Sequence, residues 1–517
     1  MAIKRRLTKE GGKEKRRLSG GRWHKWLGLF FTLFILVFAL SGIFLNHRRA
    51  LSTVDIPRSW LPQSYQYSNW NNASIKGSLK LSTDSILLFG GSGIWLTDST
   101  FSFFEPFLRG IRKGSDNQTT HNVVKTSSGD LFAVTTFDCY QYDFSQNCWM
   151  SHSPKVKTKE RLVDIASCQD TLMVLSRSHG YVSQPPYEHF ERIILADAAE
   201  EKPEVSLFKT LWTLHSGELF GSLGKLLVDF LGLITIILCL TGLLLFFTPQ
   251  WIRKRRRAKK STLALVRLFK GSLAWHNKPG STLFYLLLIL CLSGMFLRPP
   301  LLISIIRIKH RPLSFTTQDK TNPWHDKLRC IRYDEFRKEW LIYTSDGLLA
   351  YNNIRGIPTK IPHTPPISVM GLQVFEPRDS TTWLVGSFSG LFHWDRETRT
   401  SCDYFTGKKP QPPKMGPPVI DNPISGFSSD FEKEIVFNYF DGAQSKMSLP
   451  EMPKHLQQAR MSFWHVCLEA HTGRIYTFLP EVLILLFIPI SGILFFIILI
   501  SGYMLYRKRH KRKDHPS

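Results

Sequence analysis

Several chemistries are missing from this 517-residue chain. No Cys-x-x-Cys occurs among its eight cysteines, which removes a zinc knuckle or a thioredoxin-like centre. No Gly-x-Gly-x-x-Gly follows a strand and no Walker loop appears, so no nucleotide domain is encoded. Neither Gly-x-Ser-x-Gly nor His-Glu-x-x-His is present, which leaves an esterase or metalloprotease without its catalytic spacing. Acid is also scarce: 41 Asp and Glu stand against 67 Lys and Arg, a formal net charge of +26. No nucleic-acid-reading fold accompanies the Arg253–Lys260 basic run, so the excess needs another cause.

That cause lies in four apolar runs, Leu27–Leu45, Leu226–Thr248, Ser281–Leu297 and Val482–Tyr506. A helix crosses a bilayer with about 17–25 residues, which each run supplies. Residues 1–23, 249–278 and 507–517 carry +7, +10 and +5, together +22 of the +26. Positive flanks stay cytoplasmic on insertion. Both termini and the middle linker are therefore expected inside, and residues between about 50–220 and 300–475 outside. The first run offers no small-x-small cleavage site and is expected to remain as an anchor.

The expected division is a basic N-terminus (1–26), a first span (27–45), an outer β-rich domain (46–214) and a second span with its outer approach (215–248). A basic linker (249–280), a third span (281–297), a second outer β-rich domain (298–470), a fourth span with its approach (471–506) and a basic tail (507–517) follow. In the outer regions a strand, tight turn, strand phrase recurs: Leu87–Phe89 to Gly93–Leu96, Leu131–Val134, Leu172–Leu175 to Gly180–Val182, Trp340–Tyr343 to Gly347–Leu349, Trp383–Val385 to Gly390–Trp394, and Ile435–Phe437 to Gly442. Its spacing suits propeller-like blades, as two half-rings or one six-bladed ring. Two unrelated small β-rich domains are the plainer alternative. Cys139 and Cys148 flank a hairpin and form the best candidate disulfide.

Two stretches 252 residues apart repeat: Trp23-His24-xxx-Gly28 leading to Ser41-Gly42-x-Phe44-Leu45, and Trp275-His276-xxx-Gly280 leading to Ser293-Gly294-x-Phe296-Leu297. At an offset of 256, His215-Ser216-Gly217 matches His471-Thr472-Gly473. The pattern suggests an internal duplication with four histidines at the ends of four membrane helices. With Leu214-His215-Ser216-Gly217-x-Leu219-Phe220-Gly221 and Ser41–Arg48, these motifs resemble the PepSY-associated transmembrane proteins, over about a third of the chain. The resemblance implies a four-span protein of the bacterial inner membrane, and some relatives are haem-bearing reductases that release iron from siderophores in the periplasm. The blade-like outer regions depart from the small PepSY module and weaken any inference about substrate.

A b-type haem in a helical bundle takes axial imidazoles from facing helices. Two such haems are expected, the inner held by His24 and His276 and the outer by His215 and His471. Gly28 and Gly280 lie one turn from their histidines, and Gly217 and Gly473 two residues after theirs, where a missing side chain admits a flat macrocycle. His47 is a further outer candidate, as ligand, pH sensor or helix cap, and His465 another. Histidines at helix ends also serve without any ligand. Asp229 is expected to pair with Lys225 four residues before it, with a proton-relay or quinol role for Asp229 or Glu481 as the alternative. The expected fold is thus a membrane α-helical bundle of four spans plus two mainly β periplasmic domains. The expected function is electron transfer from quinol or a separate redox protein to a periplasmic acceptor such as a ferric chelate. The alternative is a membrane-anchored periplasmic ligand-binding or sensory protein without redox activity. The lipid bilayer is a partner in either case, and nucleic acid in neither.

Overall fold

A computed structural model describes residues 2–197, 204–319, 322–368, 370–410, 422–447 and 449–511. It divides into two compact units, one of residues 1–48, 203–319 and 464–517, the other of residues 49–202 and 320–463. The two outer regions that are separate in sequence therefore fold as one unit.

Among the described residues, that unit holds a two-stranded pairing of Asp55–Ile56 with Met461–Ser462 and six larger antiparallel sheets in chain order, at residues 77–106, 120–151, 162–193, 328–361, 374–403 and 424–445. The first five have four strands each and the sixth has three. The second and third strands of a sheet meet at a tight turn. Gly347 and Gly390 take φ of +130° and +126° there, a conformation closed to other residues. Inner strands are apolar on both faces because each face meets a different neighbour. Leu87 and Phe89 pack with Leu131 and Ala133 of the second sheet, whereas Ile86 and Leu88 pack with Ile435 and Phe437 of the sixth. Shared cores likewise join the second sheet to the third, the third to the fourth, the fourth to the fifth and the fifth to the sixth.

Polar atoms of the first strands join the same neighbours. Asn122 Nδ2 donates to the Ile165 carbonyl at 2.8 Å, the Ile331 amide to Asp164 Oδ2 at 2.9 Å, Arg332 Nε to the Phe375 carbonyl at 3.0 Å, and the Phe427 amide to the Lys76 carbonyl at 3.1 Å. The expected Cys139–Cys148 bridge does not form, and all eight cysteines are free. The hairpin register sets Cys148 opposite Asp143, four residues along the strand from Cys139, beyond the reach of a disulfide.

The other unit is helical: α1 (Ala2–Asn46), α2 (Leu207–Ser216), α3 (Gly221–Arg257), α4 (Leu263–Thr282), α5 (Phe284–Met295), α6 (Phe463–His471) and α7 (Glu481–Lys511). Among the described residues, three helices are long and apolar enough to span a membrane: Gly21–Asn46 of α1, Glu218–Arg257, which includes α3, and Glu481–Lys508 of α7. The third expected span is not one straight helix. α4 and α5 meet at a bend of 69°, and together they make a fourth candidate span. Pro279 withholds an amide from the last turn of α4, and Gly280-Ser281-Thr282 are weak helix formers, so the break falls at Leu283. Apolar stripes meet where Leu231 of α3, Phe284, Leu287, Cys291 and Met295 of α5 and Leu499 of α7 form one core.

Candidate functional site

Of the hydroxyl-glycine pairs on the membrane helices, Ser491-Gly492 of α7 adjoins Met295, and four others form a set: Ser41-Gly42 on α1, Thr241-Gly242 on α3, Ser293-Gly294 on α5 and Ser501-Gly502 on α7. Each receives one histidine from another helix. His24 of α1 lies on Ser501-Gly502, with Nδ1 3.1 Å from both the Ile498 carbonyl and Ser501 Oγ. His276 of α4 lies on Thr241-Gly242, with Nδ1 3.1 Å from the Leu238 carbonyl and from Thr241 Oγ1. His215 of α2 meets the Leu290 carbonyl at 3.0 Å and Ser293 Oγ at 3.3 Å. His471 of α6 meets the Phe38 carbonyl and, at 2.9 Å, Ser41 Oγ.

A carbonyl only accepts, so Nδ1 carries the proton in each ring and the basic lone pair is on Nε2. Among the described residues, none of the four Nε2 atoms has a hydrogen-bond partner. The hydroxyl three residues after the accepting carbonyl bonds that same carbonyl, as in Ser501 to Ile498 at 3.1 Å and Ser293 to Leu290 at 3.0 Å. It thereby braces the atom that orients the ring.

The glycines allow this approach. A Cβ added at Gly294 would stand 2.6 Å from His215 Cε1, at Gly502 2.9 Å from His24, at Gly42 3.3 Å from His471 and at Gly242 3.5 Å from His276. The glycines singled out from spacing act elsewhere. Gly28 has nothing within 4 Å of an added Cβ, and at Gly280 the neighbour is Leu238 at 3.4 Å. Gly217 and Gly473 have φ of +79° and +78°, and each ends the short helix that carries a histidine.

The histidines meet in two pairs. His24 and His276 have ring centres 6.2 Å apart with planes at 72°, toward the basic ends of α1 and α3. His215 and His471 are 6.1 Å apart at 53°, toward the far ends. Eighteen residues of α1 separate His24 from Gly42, about 27 Å of helix.

This geometry can be tested against a metal. An imidazole nitrogen bonds a transition ion at about 2 Å and lies about 1 Å from its own ring centre, so two rings facing one ion have centres about 6 Å apart. Both pairs have that separation, with Nδ1 of each ring oriented by a carbonyl.

His47 is outside both pairs. Its Nε2 is 2.9 Å from Asp229 Oδ2, and Asn46 Nδ2 donates to Asp229 Oδ1 at 2.8 Å. The expected Asp229–Lys225 pair is corrected accordingly: Lys225 faces Glu218 at 3.8 Å. α1 ends beside Asp229, so two donors from another helix reach the carboxylate before the Lys225 side chain, which follows the turn at Gly217 instead. Thr241-Gly242 and Ser501-Gly502 escaped sequence reasoning. Their signal was the recurrence of the Ser-Gly pairs of α1 and α5 in the other two apolar runs.

Residues 21–509 match the family model of the PepSY-associated TM region, and the chain belongs to that family. No curated protein matches it significantly. Among solved structures it is similar to the extracellular domain of a protein named as a one-component system of B. thetaiotaomicron, with 11% identity and a TM-score of 0.35, covering 75% of this chain and 34% of that one. It is also similar to PorZ, a surface component of the type-IX secretion system of Porphyromonas gingivalis, with 6% identity and a TM-score of 0.30, covering 75% and 39%. The chain thus spans about a third of the length of these structures.

Proposed function

We propose that this member of the PepSY-associated family is an integral membrane haem protein that delivers electrons to an acceptor outside the cytoplasm, such as a ferric chelate. The supporting observation is the twofold recurrence of one arrangement, two carbonyl-anchored imidazoles about 6 Å apart with free Nε2 atoms. Haem b at each pair would supply one-electron chemistry. His24 and His276 would hold the inner group and His215 and His471 the outer, while the Ile498, Leu238, Leu290 and Phe38 carbonyls fix each ring in the ligating tautomer. Membrane quinol or a separate redox protein would be the donor.

The wider architecture is part of the same proposal. With α4 and α5 counted as one broken span, four spans put every basic block on one side, the cytoplasmic side of a bacterial inner membrane. The six sheets are then blades of one periplasmic ring. Supporting this are the cores shared between successive sheets and between the sixth and the first, which leave no unpaired face. The repeated motifs favour an origin by duplication.

The test is an absorption spectrum of the purified full-length protein, oxidised and reduced. A Soret band and two haems per chain are expected. A colourless protein from haem-replete membranes overturns the proposal in favour of a membrane-anchored binding or sensory protein.

A further inference from the structure

The far ends of the two repeats differ in charge. Asn46 and Glu218 occupy the positions that correspond, at the repeat offsets of 252 and 256, to Arg298 and Arg474. On the first side Asn46 and His47 bond Asp229, Lys225 faces Glu218, and Arg48 lies over the Trp464 ring. On the second side two guanidiniums adjoin one carboxylate, Glu469, whose Oε1 is 2.5 Å from an Arg474 terminal nitrogen.

Both arginines belong to the His215–His471 site by position. Arg298 is four residues past Gly294, whose missing side chain admits His215, and Arg474 is three residues past His471. Arg298 is half-buried, and its guanidinium makes no hydrogen bond or close ion pair among the described residues. Burial, and then the neighbouring Arg474, push the Arg298 pKa down. The Nε–H of Arg474 is buried without an acceptor. Two cations sharing one carboxylate, with donors unspent in a partly dry place, are held at a cost that an added anion would relieve.

We propose that Arg298 and Arg474 form a carboxylate-binding site that takes the two propionates of a haem held by His215 and His471. This rests on the haem assignment above. A haem carries both propionates on one edge, so a pair of cations on one side suits it. The departure from twofold symmetry offers such a pair, since Arg298 and Arg474 stand where the other repeat has Asn46 and Glu218. It sets the rotation of the macrocycle about its axial ligands, which the imidazoles leave open. Guanidinium is the suitable cation because its planar fork donates two parallel bonds to a carboxylate.

The test uses full-length protein in detergent, stripped and reconstituted with haem b or with its dimethyl ester, in which both carboxylates are blocked. In a His276→Ala background only the far pair binds. There haem b should be retained about tenfold longer than the ester or more. Arg298→Ala with Arg474→Ala should abolish the preference, and the two Lys substitutions should restore part of it. The same double alanine variant with His276 intact should keep its inner haem, which reports correct folding. Equal retention of haem b and ester by the parent, or a preference that survives the double substitution, overturns the carboxylate site while leaving the haem assignment standing. Failure of the unsubstituted chain to take up either compound overturns both.

Discussion

The two histidine pairs have nearly the same ring separation, 6.2 and 6.1 Å, yet are supported differently. His24 and His276 sit inside long helices, Ala2–Asn46 and Leu263–Thr282, so helical periodicity alone sets their direction. His215 and His471 sit at the ends of helices of ten and nine residues, each closed by a left-handed glycine. Helices that short are marginal in isolation. Their position depends on tertiary packing and on the turn that follows. One ligand geometry is thus reached from a rigid support at one end and a folded-back support at the other, and what both ends share is the hydroxyl-glycine pair on the receiving helix.

The largest expected effect separates the pairs outright. His276→Ala should remove the inner haem and His471→Ala the outer, each lowering haem per chain from two to one by pyridine haemochromogen assay. Loss of both groups from either single substitution would break the idea of two independent sites.

The receiving glycines should give a graded series that crosses the two ends. Gly294→Ala and Gly502→Ala place a methyl 2.6 and 2.9 Å from a ring and should displace it, with haem lost on purification. Gly42→Ala and Gly242→Ala, at 3.3 and 3.5 Å, should retain most of theirs. The severity should follow these distances and not the end of the bundle.

A third substitution should touch the far end alone. Gly473→Ala forces a side chain into a left-handed turn and 2.5 Å from Phe487 Cδ1, costing about 1 kcal/mol or more. It should lower outer haem content and thermal stability and leave the inner spectrum unchanged.

The smallest effect is expected from the hydroxyls. Ser293→Ala and Ser501→Ala leave the Leu290 and Ile498 carbonyls to hold Nδ1, so each should cost about 1 kcal/mol and shift the corresponding midpoint potential only slightly. A loss of haem as large as that of the histidine substitutions would show that the hydroxyl, not the carbonyl, orients the ring.

The four histidines were legible because the motifs around them recur at offsets of 252 and 256, and chance rarely repeats Trp-His-xxx-Gly before an apolar run. Their pairing, His24 with His276 and His215 with His471, followed from which end of each run they occupy. Spacing along one helix pointed to Gly28, Gly280, Gly217 and Gly473, whereas the close approaches are made across helices, at Gly42, Gly242, Gly294 and Gly502. Asp229 misled in the same way, since an i, i+4 lysine is visible in sequence and a histidine and an asparagine 182 and 183 residues away are not.

Sequence alone determined the apolar runs, the basic blocks that flank them, the strand-and-turn phrases and the repeated histidines. These are local properties, set by composition and period within a few turns of chain. Only the tertiary structure decided that both outer regions fold as one unit, that the third run breaks at Leu283, and that each imidazole is anchored by a carbonyl three residues before a hydroxyl on another helix. Such contacts join residues up to 477 positions apart, and nothing in local periodicity records which distant surfaces will meet.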